Sequence, residues 1–298
     1  SFVFESVEKG VIKGRYTIFG KKPDKIWEFN GNNAYNINNL NKKKKIKGDP
    51  KKILENLIES FRFKTPKNLP PICSLLSGFF SYDIIRYIEK VPNTCKDDLK
   101  LPDVRIMRPK ILIIHDNLKK KIYYIFNVFN DEKIKDYTKK YLEIKTDLLK
   151  LLKQSITKKI LTPTSNQLKK IDVKSNTPKN KFLSMVANAK KYIKLGDIFQ
   201  VVLSQRFEAK LTKKPIEIYK KLRVTNPSPF MFFFNFEDFQ IIGASPEILV
   251  RLRDNEITVR PIAGTRPRGK TIAQDKFYEK DLLRDKKELS EHLMLLDL

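Results

Sequence analysis

Residues 261–271, Pro-Ile-Ala-Gly-Thr-Arg-Pro-Arg-Gly-Lys-Thr, constrain the possible folds more than any other part of this chain. From Gly264 to Thr271 they satisfy the phosphate-loop pattern of a Gly, four residues and then Gly-Lys-Thr. A phosphate loop needs a strand before it, a helix after it and free backbone N–H groups. The alternative is a substrate-binding loop whose meaning depends on the motifs that flank it. The choice separates a nucleotide-hydrolysing protein from a different kind of enzyme.

The residues of this segment fit a phosphate loop poorly. Pro267 removes an amide from the middle of the loop that would hold the phosphates. Arg266 and Arg268 put bulky side chains where such loops hold small residues. A strand is predicted over 257–262, but residues 271–276 have no clear apolar stripe, so we expect only a weak helix there. The P-loop NTPase is therefore the weaker interpretation.

The charge of the chain suggests a nucleic-acid-binding protein, but its distribution does not support one. The net charge is +27, from 61 Lys and Arg against 34 Asp and Glu. Apart from residues 42–45 and 119–121 the lysines are scattered, and no basic stripe alternates with aromatic residues. We expect no nucleic acid partner, and a steep salt dependence of binding would contradict this.

The cysteines and the lack of long apolar runs indicate the compartment. Cys73 and Cys95 form neither a disulfide framework nor a metal pattern, which fits a reducing environment. No apolar run reaches membrane-spanning length and no signal peptide is visible, so we expect a cytoplasmic protein without membrane contact. The chain starts at Ser1 without Met and stops at Leu298 inside an apolar helical run, so we expect a fragment.

Periodicity divides the chain into two domains. Residues 1–155 read as mixed strands and helices, 156–177 as a linker rich in polar residues and Pro, and 178–298 as a second domain. Five elements of the first domain are predicted: helices over 54–61 and 137–152, and strands over 11–19, 111–114 and 122–129.

The second domain opens with a helix and a strand. Thr177 is predicted as the helix N-cap, Pro178 as part of the first turn and Gly196 as the end. Residues 198–207 alternate with period two, which predicts a strand with Gln200 on its polar face. That face either lines a polar cavity or is solvated.

Two carboxylate motifs carry the candidate chemistry. A strand over 241–244 followed by Ser245-Pro246 would present Glu247 at a strand end, as a general acid if it is partly desolvated. A surface turn glutamate is the competing interpretation. Asp285 with Glu288 resembles a helix capping box, and Glu288 and Glu291 share one helical face. Two carboxylates on one face suit Mg²⁺, although an ordinary charged helix face has the same pattern.

Five motifs in order resemble those of anthranilate synthase component I. They occupy residues 196–207, 226–231, 243–247, 261–269 and 285–298, and residues 4–16 and 78–89 resemble that family's N-terminal domain. The similarity is collinear and covers nearly the whole chain. It implies an α+β fold of two interleaved parts, in which β-sheets pack against helices around a central cavity.

The resemblance also implies a reaction. Ammonia from a glutamine amidotransferase subunit adds at C2 of chorismate with loss of the C4 hydroxyl, and elimination of pyruvate gives anthranilate. Glu247 matches the general acid, and Glu288 and Glu291 match the carboxylates that bind the cofactor Mg²⁺. Gly264 and Thr265 match positions that contact the substrate. The family's catalytic histidine follows the last residue of this chain, so we expect the 298 residues alone to be inactive.

Two further positions separate related reactions. Gln200 stands where water-adding relatives carry a lysine that activates water, and a Gln cannot act as that base. Ala263 stands where many aminodeoxychorismate synthases carry a lysine. Both residues favour anthranilate synthase, with aminodeoxychorismate synthase component I as the alternative.

Feedback inhibition by tryptophan is implied as well. The matching residues are Glu5, Ser6, Pro229, Phe230, Met231 and Gly243. The family often has Tyr where Phe230 stands, so one polar contact is expected to be lost. Because this pocket lies one strand from Glu247, a ligand there is expected to bias the active site.

Overall fold

The computed structural model describes residues 1–7, 14–38, 42–153 and 171–297. They form two compact units, residues 1–140 with 218–298 and residues 141–217. The first unit therefore draws elements from both predicted domains, whose boundaries at 155 and 178 stay a prediction. Most of the predicted linker lies outside the described residues.

Thirteen strands are present among the described residues. They are β1 (Phe2–Glu5), β2 (Tyr16–Asn30), β3 (Asn33–Asn38), β4 (Lys43–Ile46), β5 (Ser77–Phe80), β6 (Val104–Asp116), β7 (Lys121–Phe126), β8 (Val173–Ser175), β9 (Phe207–Ala209), β10 (Phe230–Asn235), β11 (Gln240–Ser245), β12 (Arg251–Arg253) and β13 (Glu256–Thr258). The helices are α1 (Pro50–Ser60), α2 (Tyr137–Lys153), α3 (Lys179–Leu195), α4 (Pro215–Thr225), α5 (Ile272–Arg284) and α6 (Lys286–Asp297), with a short 3₁₀ helix at Tyr82–Tyr87. No helix in the described ranges is long and apolar enough to cross a membrane.

A nine-stranded antiparallel sheet forms the centre of the first unit. Six strands lie in the order β11-β10-β1-β2-β3-β4, and β6 pairs with β2, β5 and β7. β1 is the junction, because Phe4 lies opposite Phe232 of β10 and opposite Ile18 of β2. The β10–β11 hairpin, which leads to Glu247, is thus attached to the sheet through the first strand of the chain. An antiparallel sheet with separate helices agrees with the predicted α+β class.

Two apolar clusters hold this sheet, and β6 contributes to both. One cluster contains Phe2, Met107, Leu112, Ile114, Phe234 and Phe236. The other contains Trp27, Phe29, Ala34, Leu57, Val104 and Ile106. Because β6 is buried over most of its length, it can carry charges only where they are paired.

The arginines of β6 are paired in this way. Arg105 donates to Glu28 Oε2 from Nε at 3.0 Å and to Asp238 Oδ1 from Nη1 at 2.6 Å. Arg108 donates to Asp24 Oδ1 at 2.9 Å. The contact with Asp238 ties β6 to the turn of the β10–β11 hairpin, and the contacts with Glu28 and Asp24 tie β6 to β2.

Several sequence predictions match these elements. The helices predicted over 54–61 and 137–152 correspond to α1 and α2, and the predicted strand pair corresponds to β6 and β7. Gly196 ends α3 with a φ of 80°, as expected of a glycine cap. The predicted N-cap is one residue off, because α3 starts at Lys179 and its N-cap is Pro178.

Three predictions are corrected. Residues 198–206 are not a strand, and only residues 207–209 pair, with β8. Alternation favours extended backbone, but a strand also needs a partner ladder, and the described residues provide one only for β9. The strand predicted over 257–262 is limited to β13. The helix after Thr271 is fully formed as α5, because Thr271 caps it by accepting from Gln274 N at 3.2 Å.

Candidate functional site

A cavity of about 1250 Å³ lies beside β1 and the β10–β11 hairpin. It brings together Glu247 and five of the residues predicted for feedback inhibition. Those five are Glu5, Ser6, Pro229, Phe230 and Met231. Aromatic rings supply much of the remaining wall, including those of Phe4, Phe79, Phe80, Phe232 and Phe234. A planar apolar ligand with polar ends suits such a wall.

Strand register explains why these residues meet. Glu5 of β1 lies opposite Met231 of β10, and Met231 lies opposite Ala244 of β11. The end of β1, the start of β10 and the end of β11 therefore lie side by side. The turn after β11 presents Glu247 at this place. Gly243 has a packing role, because a Cβ there would lie 2.1 Å from Cζ of Phe232.

The carboxylate of Glu5 is anchored by α4. Its Oε2 accepts from the Tyr219 hydroxyl at 2.7 Å and from Arg223 Nε at 3.0 Å. Tyr219 is 3% exposed. Its burial, and to a smaller extent its hydrogen bond to Glu5, raise the pKa of its phenol. Neither partner is predicted by the sequence. Their four-residue spacing on α4 indicated one helix face, but nothing local linked that face to Glu5.

The Glu247 carboxylate is bound to the backbone of the 261–271 segment. Its Oε1 accepts from Ile262 N at 3.1 Å, and the Ser245 hydroxyl donates to the Glu247 carbonyl at 2.9 Å. The side chain is half-buried and lines the cavity. The predicted turn after Ser245-Pro246 thus presents Glu247 to a cavity.

The backbone amides near the end of the segment are already bonded. Gly269 N donates to Asp275 Oδ1 at 2.7 Å, and Lys270 N donates to Gln274 Oε1 at 2.8 Å. A phosphate loop needs these amides for its ligand. Although a helix does follow the segment, its Asp275 and Gln274 side chains already accept from these two amides, which disfavours a phosphate there in this conformation.

The start of α6 lies against the same segment. A Cβ at Gly264 would lie 2.1 Å from Oε2 of Glu288, so a larger residue there would have to displace this carboxylate. Asp285 caps α6, as predicted, by accepting from Lys287 N at 3.0 Å and Glu288 N at 3.3 Å. A hydrogen bond from Arg266, together with these amides, lowers the pKa of Asp285. The structure brings together two motifs that the sequence predicted separately.

Glu288 and Glu291 are a suitable donor set for Mg²⁺. Both are half-buried and stand three residues apart on α6. Among the described residues no group of three or more His, Cys, Asp and Glu side chains is placed to hold a metal. Mg²⁺ commonly takes one or two protein carboxylates and completes its shell with water and substrate oxygens. The two glutamates and the bare Gly264 backbone beside Glu288 fit that requirement.

The other predicted residues are less enclosed. Ala263 is half-buried and Thr265 is exposed in the loop beside Gly264. Gln200 belongs to the unit of residues 141–217, in the segment without regular structure, and is exposed there. Its predicted place on a strand face is therefore wrong, and its predicted role stays a prediction.

Comparison with known proteins gives a consistent family. The family described as chorismate binding enzyme matches residues 15–298. The chain is 41% identical to anthranilate synthase component 1 of Cereibacter sphaeroides, over all of this chain and 60% of that protein. It is 38% identical to the protein of that name from Acetivibrio thermocellus, over all of this chain and 61% of the relative.

A solved structure has the same fold. The crystal structure of anthranilate synthase component I from Streptococcus pneumoniae TIGR4 matches with a TM-score of 0.78 and 32% sequence identity. The match covers 98% of this chain and 62% of that one. The chain thus spans about 60% of the length of the relatives named here.

Proposed function

The chain belongs to the family of chorismate binding enzymes, and on this premise we propose that it is part of an anthranilate synthase component I. The reaction proposed is the conversion of chorismate and ammonia to anthranilate and pyruvate. One observation carries the proposal: two carboxylates converge on the three residues 262–264. Glu247 bonds to Ile262 N at one end, and Glu288 touches Gly264 at the other.

Glu247 is proposed as the general acid for departure of the C4 hydroxyl. Its Oε1 accepts the Ile262 amide, so Oε2 is the oxygen that carries the proton. A positioned acid of this kind contributes roughly 10²–10⁴-fold to a rate. The bond to Ile262 fixes the carboxyl group against the substrate loop.

Glu288 and Glu291 are proposed to bind the metal. When bound, Mg²⁺ supplies the positive charge that holds a substrate carboxylate and stabilises developing negative charge. Gly264 leaves the Glu288 carboxylate directly beside the loop backbone, so the loop and the carboxylate can approach the same part of a substrate. Thr265, exposed next to it, offers a hydroxyl to that substrate.

Ala263 supports anthranilate as the product. Its methyl group gives no amine to attack chorismate, unlike the lysine that the resemblance places here in aminodeoxychorismate synthases. The names of the relatives agree with this choice. A glutamine amidotransferase subunit is proposed as the partner that delivers ammonia, since the relatives are named component 1. A cytoplasmic location suits the free thiols of Cys73 and Cys95.

Tryptophan is proposed as a feedback inhibitor that binds the 1250 Å³ cavity. The aromatic wall suits an indole ring, and the Glu5 carboxylate can accept from an ammonium group. Glu247 lines the same cavity, so a ligand beside β1 and β10 is coupled to the acid through shared walls.

The test is anthranilate formation by the protein from the complete reading frame with chorismate, Mg²⁺ and ammonium. We expect fluorescent anthranilate from the wild type and at least about a 100-fold lower kcat for Glu247→Gln. Glu256→Gln, an exposed glutamate of β13, is the matched control and should keep its rate. Full activity in Glu247→Gln would show that Glu247 is not the general acid.

A further inference from the structure

The guanidinium group of Arg266 connects the substrate loop to the junction of α5 and α6. From this geometry we propose that Arg266 is a positioning residue that holds Gly264 and Thr265 at a fixed distance from the Glu288 carboxylate. The inference rests on the proposed function, because it concerns the loop and the metal-binding carboxylate of that site.

The contacts of Arg266 are distributed over three carboxylates. Its Nε donates to Asp281 Oδ2 at 2.6 Å and its Nη2 donates to Asp285 Oδ2 at 2.6 Å. Its Nη1 lies 3.5 Å from Glu288 Oε1 and also donates to the Thr265 carbonyl at 3.1 Å. One side chain of the loop thereby reaches the last turn of α5, the cap of α6 and the first turn of α6.

The chemistry of the guanidinium suits this task. It presents five N–H donors in a rigid plane, so it can bind several acceptors at once with fixed directions. Its hydrogen bonds to carboxylates are charge-assisted and stronger than neutral ones. A lysine at position 266 would offer one flexible point charge and would not hold both Asp281 and Asp285 in the same geometry.

The contact that Arg266 would control is a close approach of the loop backbone to a carboxylate. Gly264 lies so close to Glu288 that a single methyl group would not fit between them. The backbone of Gly264 and the side chain of Glu288 belong to different elements, and Arg266, two residues from Gly264, is the side chain that bonds directly to the helix junction. Small shifts at the junction therefore change the distance between loop and carboxylate.

The same loop contains a matched comparison. Arg268 has the same charge and also pairs with an aspartate, at 2.7 Å from Asp275, but its side chain is 90% exposed whereas that of Arg266 is 21% exposed. A single exposed ion pair contributes little energy, so it holds the loop only weakly in place. Arg268→Gln is therefore the control for the loss of one positive charge from this loop.

The experiment uses the protein from the complete reading frame and measures Mg²⁺ binding calorimetrically with chorismate present. All variants carry Glu247→Gln, which should slow turnover at least about 100-fold. We expect Arg266→Gln to weaken Mg²⁺ binding at least tenfold relative to the Glu247→Gln parent. The Mg²⁺ affinity of Arg266→Lys should lie between those of the parent and Arg266→Gln, and that of Arg268→Gln should stay within twofold of the parent. In the active background, Arg266→Gln should raise KM for chorismate with a smaller change in kcat.

Other outcomes have distinct meanings. Mg²⁺ binding and KM within twofold of the wild type in Arg266→Gln would overturn the inference, and so would tighter Mg²⁺ binding, which would make Arg266 a competitor for Glu288. If Arg266→Gln does not fold, Asp281→Asn removes one acceptor and should weaken Mg²⁺ binding several-fold, and no change there would overturn the inference. A wild type that neither binds Mg²⁺ nor forms anthranilate would overturn the proposed function as well.

Discussion

The arginines of β6 and those of the 261–271 loop make the same kind of bond in different surroundings. The side chains of Arg105 and Arg108 are 10% and 9% exposed, and their aspartate and glutamate partners join strands of the sheet. Arg266 and Arg268 lie in a loop at the surface and bind the helices that follow. A buried ion pair is costly to break, while a surface pair contributes little. The first set therefore maintains the fold, whereas in the second set only Arg266, whose side chain is 21% exposed, is covered enough to fix positions.

The largest expected effect is the loss of a buried arginine. Arg105→Met leaves Glu28, which is 5% exposed, with one fewer cation, and should lower the free energy of unfolding by about 3–5 kcal/mol. Urea denaturation measures this. Adding Glu28→Gln should recover part of the loss, because the buried carboxylate that has lost Arg105 and keeps only the exposed Lys43 is then neutral. A change near zero for Arg105→Met would show that β6 does not need its ion pairs.

Next in size is the close contact at Gly264. Gly264→Ala must displace either the loop or the Glu288 carboxylate. Because that carboxylate is the end of a flexible side chain, we expect a cost of about 1 kcal/mol in stability and at least a tenfold weaker Mg²⁺ affinity. Gly269→Ala is the comparison, since a Cβ there meets the backbone of Asp275 at 2.2 Å, away from Glu288. It should lower the melting temperature without changing Mg²⁺ binding. Equal Mg²⁺ affinities of Gly264→Ala and Gly269→Ala would show that Gly264 has no part in the metal site.

A smaller effect is expected at the anchor of Glu5. Tyr219→Phe removes one hydrogen bond but leaves Arg223 in place, so the expected cost is about 0.5–1.5 kcal/mol. Inhibition by tryptophan should weaken several-fold, measured as the concentration that halves anthranilate formation. Tyr82→Phe, whose ring is 91% exposed, serves as the control. Unchanged inhibition would mean that α4 does not position Glu5 for the ligand.

The smallest expected effect is a pH dependence of the stability contributed by Asp131, a partly exposed ion-pair partner of the buried Arg108. Burial by itself raises the pKa of Asp131, but hydrogen bonds from Lys25 and Arg108 lower it to about 2. Its ordinary pKa is about 3.9, so its stabilising contribution is complete above about pH 4 and is lost as the pH falls to about 2. Because the side chain is 40% exposed, we expect less than about 1 kcal/mol.

Unfolding of Asp131→Asn followed between pH 5 and pH 2 checks this dependence. The slope of stability against pH should be smaller than in the wild type. The exposed Asp254 provides the matched control, and Asp254→Asn should retain the wild-type slope. Parallel curves for Asp131→Asn and the wild type would contradict the ion-pair explanation.

The local sequence pattern predicted most of the regular elements. It failed where an element depends on a partner strand or a capping residue rather than on apolar spacing. The helical spacing of α1 and α2 and the hairpin of β6 and β7 are visible in the sequence, because each depends on near neighbours. Residues 198–206 alternate like a strand but have no described partner for a ladder. α5 has little apolar stripe and is recognised instead by its cap at Thr271.

The candidate site divides in the same way. Glu247 and Glu288 stand in motifs that can be read along the chain, so they were predicted together with their chemistry. Tyr219 and Arg223 act on Glu5 from more than 200 positions away, and no local pattern encodes that distance. Arg266 was visible in the sequence only as an obstacle to phosphate binding, and its three carboxylate partners depend on how α5 and α6 fold back.

The placement of β1 has a consequence for synthesis on the ribosome. Phe2 pairs with Phe234, so one edge of β1 has its partner only after 232 further residues are made. At about 5–20 residues per second, the nascent chain carries that edge open for roughly 10–50 s. An open strand edge is a template for pairing with other chains. Binding of β1 by a chaperone during this interval would therefore protect the strand that later attaches the β10–β11 hairpin.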